Sequence, residues 1–136
     1  ITNTEEATDT MTPPIANPVI PDDDLARLHA VAERLLPFVR LLPDDCRSLA
    51  MDVLTEILLG SIPYVRYDKA YEFAYGMPDR IRSAGRVFGS VCWVLYWAHH
   101  PEEHEQCRTG DGVYYITYNL TNANRELAAL ESLPKV

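Results

Sequence analysis

The sequence predicts an all-α fold, a compact bundle of four or five helices around one central apolar helix. Three observations carry this expectation. Beyond residue 21, apolar residues recur at three- and four-residue steps through most of the chain, the period of one face of an α-helix. Acidic first turns mark helix starts at Asp22–Asp24, Asp44–Asp45, Asp79 and Glu102–Glu103. A chain of 136 residues, 47% of them hydrophobic, is long enough to bury one core and too short for two independent ones. Residues 22–136 are therefore expected to form a single helical domain.

Residues 1–21 hold four prolines, no basic residue and no periodic apolar pattern. They cannot repay the entropy of folding and are expected to be a disordered acidic tail. Asp22–Asp24 then supply an N-cap and a negative first turn for a helix that buries Leu25, Leu28, Val31, Leu35 and Val39. Pro37 interrupts that stripe, so the helix should kink or break there. Leu42-Pro43-Asp44-Asp45 restarts the chain, and Leu49, Val53, Leu54, Ile57 and Leu58 form the next stripe up to Gly60. Two helices joined so tightly should pack antiparallel. Ser61–Tyr67 reads as a connection, and Asp68–Tyr75 as a short helix ended by Gly76-Met77-Pro78.

The central helix spans residues 79–98. Ile81, Ala84, Gly85, Phe88, Val91, Cys92 and Leu95 share one face, with Arg82 and Arg86 opposite. It should stop near His99-His100-Pro101, because the residue before a proline avoids the α region. Pro101-Glu102-Glu103 has the composition of a short new first turn, and Thr109–Gly112 reads as a loop. In the last segment, Val, Tyr, Ile and Thr at 113–118 favour a strand, and a short β-hairpin near 105–118 is the alternative that this leaves open. Yet Val113, Ile116, Leu120, Ala123, Leu127 and Leu130 keep one helical stripe, which favours a single long helix.

Composition narrows the function. A net charge of −8 and a pI near 4.8 argue against a general binder of nucleic acid or anionic membrane and favour a basic partner. The charge is uneven: residues 1–60 carry eleven acids against four bases, whereas residues 61–90 carry five bases against three acids. Cys46, Cys92 and Cys107 fit neither a zinc-ribbon nor a disulfide framework, and nothing before Arg27 forms an apolar leader. A cytoplasmic protein with reduced thiols is expected. The apolar run 87–98 is too short to span a bilayer.

Four groups of residues invite a functional reading. After Arg86 no charge appears until Glu102, so Trp93, Tyr96 and Trp97 stand where a surface helix carries Lys or Glu. They are either the all-round core of the bundle or an interface rich in aromatic hot spots. Gly89, four residues from Gly85, would let another helix approach closely. Asp68–Tyr75, the following turn and the next helix resemble a helix-turn-helix in length, with Arg80, Arg82 and Arg86 at the leading end where phosphate or DNA contacts would lie. Tyr64, Tyr67, Tyr71 and Tyr75 line one side of the third segment, as core rim or interface border.

His100-Pro-Glu-Glu-His104, with Cys107 beyond, formally matches an inverted zinc-protease motif. The proline directly after the first histidine and the lack of a strong downstream ligand favour a solvated helix end, so neither metal nor cofactor is expected. No catalytic constellation is legible. The expected function is a non-enzymatic interaction or regulatory module that binds a protein partner, or a second copy of itself, through Trp93, Tyr96, Trp97 and Gly89. A DNA-binding regulator acting through Arg80, Arg82 and Arg86 is the first alternative, and a small acidic inhibitor the second.

Overall fold

The computed structural model describes residues 18–77, 82–100 and 114–132. Among these residues it is built of helices and contains no strand, in the order α1 (Asp22–Leu35), a 3-10 helix (Leu36–Leu41), α2 (Asp44–Leu58), α3 (Tyr67–Tyr75), α4 (Arg82–Ala98) and α5 (Tyr114–Glu131). The expected all-α bundle is therefore the fold. No described helix is long and apolar enough to cross a membrane.

Local chemistry sets most of the boundaries. Pro37 cannot donate to the carbonyl four residues back, so α1 stops at Leu35 and the chain tightens into 3-10 geometry with the proline near its start. The expected break is thus a change of helix type. One detail of the α1 start differs from expectation. Pro21 occupies the N-cap, no side chain caps the helix, and the three aspartates form its first turn. At the far end of α2, Gly60 takes φ +100°, which lets its own N–H reach the Ile57 carbonyl and the Ser61 N–H reach that of Glu56. Residues 18–20 are held by the core as well. The Val19 N–H donates to the Ala98 carbonyl at 2.8 Å and Ile20 packs on the core, so the folded unit begins a few residues before Asp22.

Helix α4 is the centre of the bundle. Ala84, Val87, Phe88, Val91, Cys92, Val94, Leu95 and Ala98 are all buried. Helix α3 lies antiparallel along it: Met77 meets Gly85, Ala74 meets Gly89, the Phe73 and Phe88 rings meet edge to face at 4.6 Å, and Tyr67 meets Trp93 and Tyr96. That is a hairpin rather than the crossed helices of a helix-turn-helix. A Cβ on Gly89 would stand 2.6 Å from the Ala74 nitrogen and 2.7 Å from its Cα, so only glycine permits this approach. The close contact foreseen at Gly89 is made inside the chain, and Gly89 itself is buried.

Helix α5 covers α4 from the other side, also antiparallel, with Tyr115 beside Trp97 at one end and Glu126 beside Arg86 at the other. Ile116, Leu120, Ala123, Leu127 and Leu130 are buried along its full length. The helical period thus prevails over strand propensity at 114–118, while residues 105–113 of the alternative hairpin lie outside the described residues. Helix α1 runs parallel to α5. The Asp24 carboxylate accepts from the Thr117 hydroxyl at 3.0 Å, Arg27 reaches Thr121, and Arg34 donates twice to Glu131 and once to Asn124.

Candidate functional site

The face of α4 that the core and its neighbours leave partly open runs through Arg86, Ser90, Trp93 and Trp97, spaced four, three and four residues apart. This ridge is the floor of a groove of about 420 Å³. Ala74 and Tyr75 of α3 form one wall; Tyr115, Tyr118, Asn119, Asn122, Arg125 and Glu126 of α5 form the other. The floor is about 16 Å long, the eleven helical rises from Arg86 to Trp97. Its two ends differ in chemistry, aromatic around Trp97 and ionic around Arg86.

At the aromatic end the rings form a continuous series. Trp97 stacks on Tyr115 with centroids 5.0 Å apart and on Trp93 at 6.5 Å. Trp93 meets the edge of Tyr67 at 5.0 Å, Tyr67 leads to Tyr71, and Tyr71 to Tyr75 at 4.8 Å. Trp93 and Trp97 are half-buried, whereas Tyr71, Tyr75 and Tyr118 are 53%, 69% and 52% exposed, far beyond the rim of a core. The tyrosine stripe of α3 is therefore surface, and it continues the Trp strip of α4 into one aromatic face.

Tyr96 belongs elsewhere. It is 4% exposed, its ring stacked on His100 at 4.2 Å, and it supports the face from beneath. Tyr96 and Gly89 are thus core residues, and Trp93 and Trp97 alone of the expected four reach the surface. The sequence could not separate them, because a helix flanked on two sides exposes only the narrow strip that its neighbours leave.

At the ionic end, Arg86 is exposed and pairs with Glu126 at 3.8 Å, while Arg125 donates to Asn122 at 2.7 Å. Arg80 and the Arg82 side chain lie outside the described residues, so of the three candidate phosphate-binding arginines only Arg86 is placed. Beside it stands Arg125, which is not among the sequence-based candidates. Its signal was present: Tyr115, Tyr118, Asn122 and Arg125 lie on the face of α5 opposite the apolar stripe.

Beyond the C-terminal end of α4, His99 and His100 are buried, and each donates Nδ1–H to the carbonyl four residues earlier, Leu95 at 2.9 Å and Tyr96 at 3.0 Å. Tyr64 packs its ring against both. Burial holds His99 below its ordinary pKa, so the imidazole is neutral near pH 7. His104 and Cys107 lie outside the described residues, and among those described no three His, Cys, Asp or Glu side chains converge. Burial pushes the Cys92 thiol up, and burial with Asp45 nearby does the same to Cys46, so neither thiol is activated. Compared with protein-family models, curated proteins and solved structures, the chain matches none.

Proposed function

We propose that this chain is a non-enzymatic interaction module whose aromatic face binds a protein partner. The carrying observation is the unbroken series from Tyr75 through Tyr71, Tyr67, Trp93 and Trp97 to Tyr115, of which Tyr75, Trp93, Trp97 and Tyr115 line an open groove. Such rings offer large contact area at little rotamer cost, and Trp and Tyr dominate binding hot spots. The DNA-binding alternative draws less support. Helix α4 would have to enter a DNA groove, yet α3 and α5 flank it along its length, and the chain carries a net charge of −8. The acidic-inhibitor alternative loses Asp24, which is turned inward onto Thr117.

The test places a photo-reactive phenylalanine analogue at Tyr71, at Tyr118 and, as control, at the exposed Met51 of α2 in the natural host. Adducts of defined mass at Tyr71 and Tyr118 but not at Met51 are expected, and Trp97→Ala should reduce them while the helical circular dichroism persists. Equal adduct yield at all three positions would sink the proposal. Native mass spectrometry then separates a second copy of the chain from a different protein.

A further inference from the structure

The groove also indicates what kind of segment occupies it. Resting on the interaction reading above, we propose that it seats an amphipathic helix of the partner protein, with apolar anchors on the Trp97 end and a carboxylate on the Arg86 end. The shape of the groove suits a helix. Arg86, Ser90, Trp93 and Trp97 form a single helical ridge, and the flanking helices α3 and α5 both run antiparallel to it, leaving a valley along its axis. Side-chain ridges of one helix fit grooves between others, and a helix laid in this valley touches α3, α4 and α5 together. A floor of about 16 Å matches about three helical turns, enough to hold the roughly two turns over which helix-in-groove anchors at i, i+3, i+4 and i+7 are spread.

Its charge suits a carboxylate at one end. Among the described residues that line it, the ionic end holds two guanidiniums, Arg86 and Arg125, against one carboxylate, Glu126. The Arg86–Glu126 pair is long, at 3.8 Å, beside the 2.7 Å of Arg34–Glu131 in the same bundle. An incoming carboxylate at this end meets a net positive site with one loosely held guanidinium, and a bidentate contact is the geometry that arginine favours. The chain as a whole is acidic, but screening confines exposed charges to about 8 Å at physiological salt, so the local pair decides what docks here. A basic helix would bring its cation against Arg86 and Arg125.

The only two tryptophans of the chain, Trp93 and Trp97, both lie in the groove and report its occupancy by fluorescence. The full chain is titrated with helix-forming peptides of about fifteen residues, four turns. Each carries Leu, Phe and Leu at helical spacing, followed one turn later by glutamates or lysines, with a scrambled peptide as control. The glutamate peptide is expected to bind saturably, and Trp97→Ala, with Trp93 still reporting, to weaken it about tenfold. The charge reversal Arg86→Glu with Arg125→Glu should weaken the glutamate peptide about fivefold and strengthen the lysine peptide by a similar factor. A reciprocal gain cannot come from an unfolded variant.

Equal affinity for glutamate and lysine peptides, with the Trp97→Ala loss intact, overturns the charge assignment and leaves the interaction reading standing. Scrambled binding equal to the patterned peptides, or no saturable change with any, overturns the helical occupant; photo-adducts at Tyr71 and Tyr118 judge the broader reading independently. A concentration-dependent dimer that Trp97→Ala dissolves overturns the foreign helix in favour of a second copy.

Discussion

Replacing Gly89 by alanine sets two physical effects against each other with opposite signs. Alanine is the better helix former by about 1 kcal/mol, so on propensity alone the variant gains stability. In the fold the new methyl would stand 2.6 Å from the Ala74 nitrogen and 2.7 Å from its Cα. Both are backbone atoms that no rotamer change can move, so α3 as a whole must lift from α4. Overpacking of this kind costs about 1–3 kcal/mol, and here the upper end applies because the obstacle is rigid. Moving α3 also strains the Phe73–Phe88 contact at 4.6 Å. The net expectation is a loss of about 1–2 kcal/mol, which for a domain of this size lowers Tm by about 3–10 °C.

Circular dichroism at 222 nm through thermal and urea unfolding measures it, with Gly60→Ala as the contrast. Gly60 has nothing within 4 Å of a new Cβ and φ +100°, so its cost, about 1 kcal/mol, is backbone strain alone. Asparagine should recover part of it at Gly60 and none at Gly89. A Gly89→Ala protein more stable than the parent would refute the close α3–α4 packing.

Three further outcomes are expected. Asp24→Ala leaves the Thr117 hydroxyl without its buried acceptor and should cost about 1–3 kcal/mol in urea unfolding, and a double-mutant cycle with Thr117→Val should show coupling rather than additivity. Burial lowers the His99 pKa from 6.5, so its contribution is present above that value and is lost as pH falls toward the depressed folded pKa. The urea midpoint should therefore drop from pH 7 to pH 5, and His99→Gln should flatten that slope; an unchanged slope refutes the assignment. The Arg34 hydrogen bonds hold Glu131 below the ordinary carboxylate range, so this contribution persists through pH 5 and disappears only in acid below the usual carboxylate value, where high salt should weaken it too.

What the sequence determined by itself was periodicity and punctuation. The stripes of α1, α2 and α5, the interruption at Pro37, the terminal Gly60 and the central place of α4 all follow from local spacing and from backbone chemistry that acts within a turn or two. Even the ambiguous segment at 114–118 obeyed its period, because a stripe from Ile116 to Leu130 repays burial only as a helix. The tertiary structure alone decided which aromatic residues became surface. Trp93 and Trp97 share a helix with Tyr96, and their exposure depends on where the walls of α3 and α5 fall across it, a long-range packing fact that single-helix spacing does not encode. The same holds for Asp24, a first-turn acid by sequence that the parallel docking of α1 on α5 turned into a buried acceptor for Thr117. Spacing put Arg125 on the polar face of α5, and antiparallel packing then set that face on the groove wall beside Arg86.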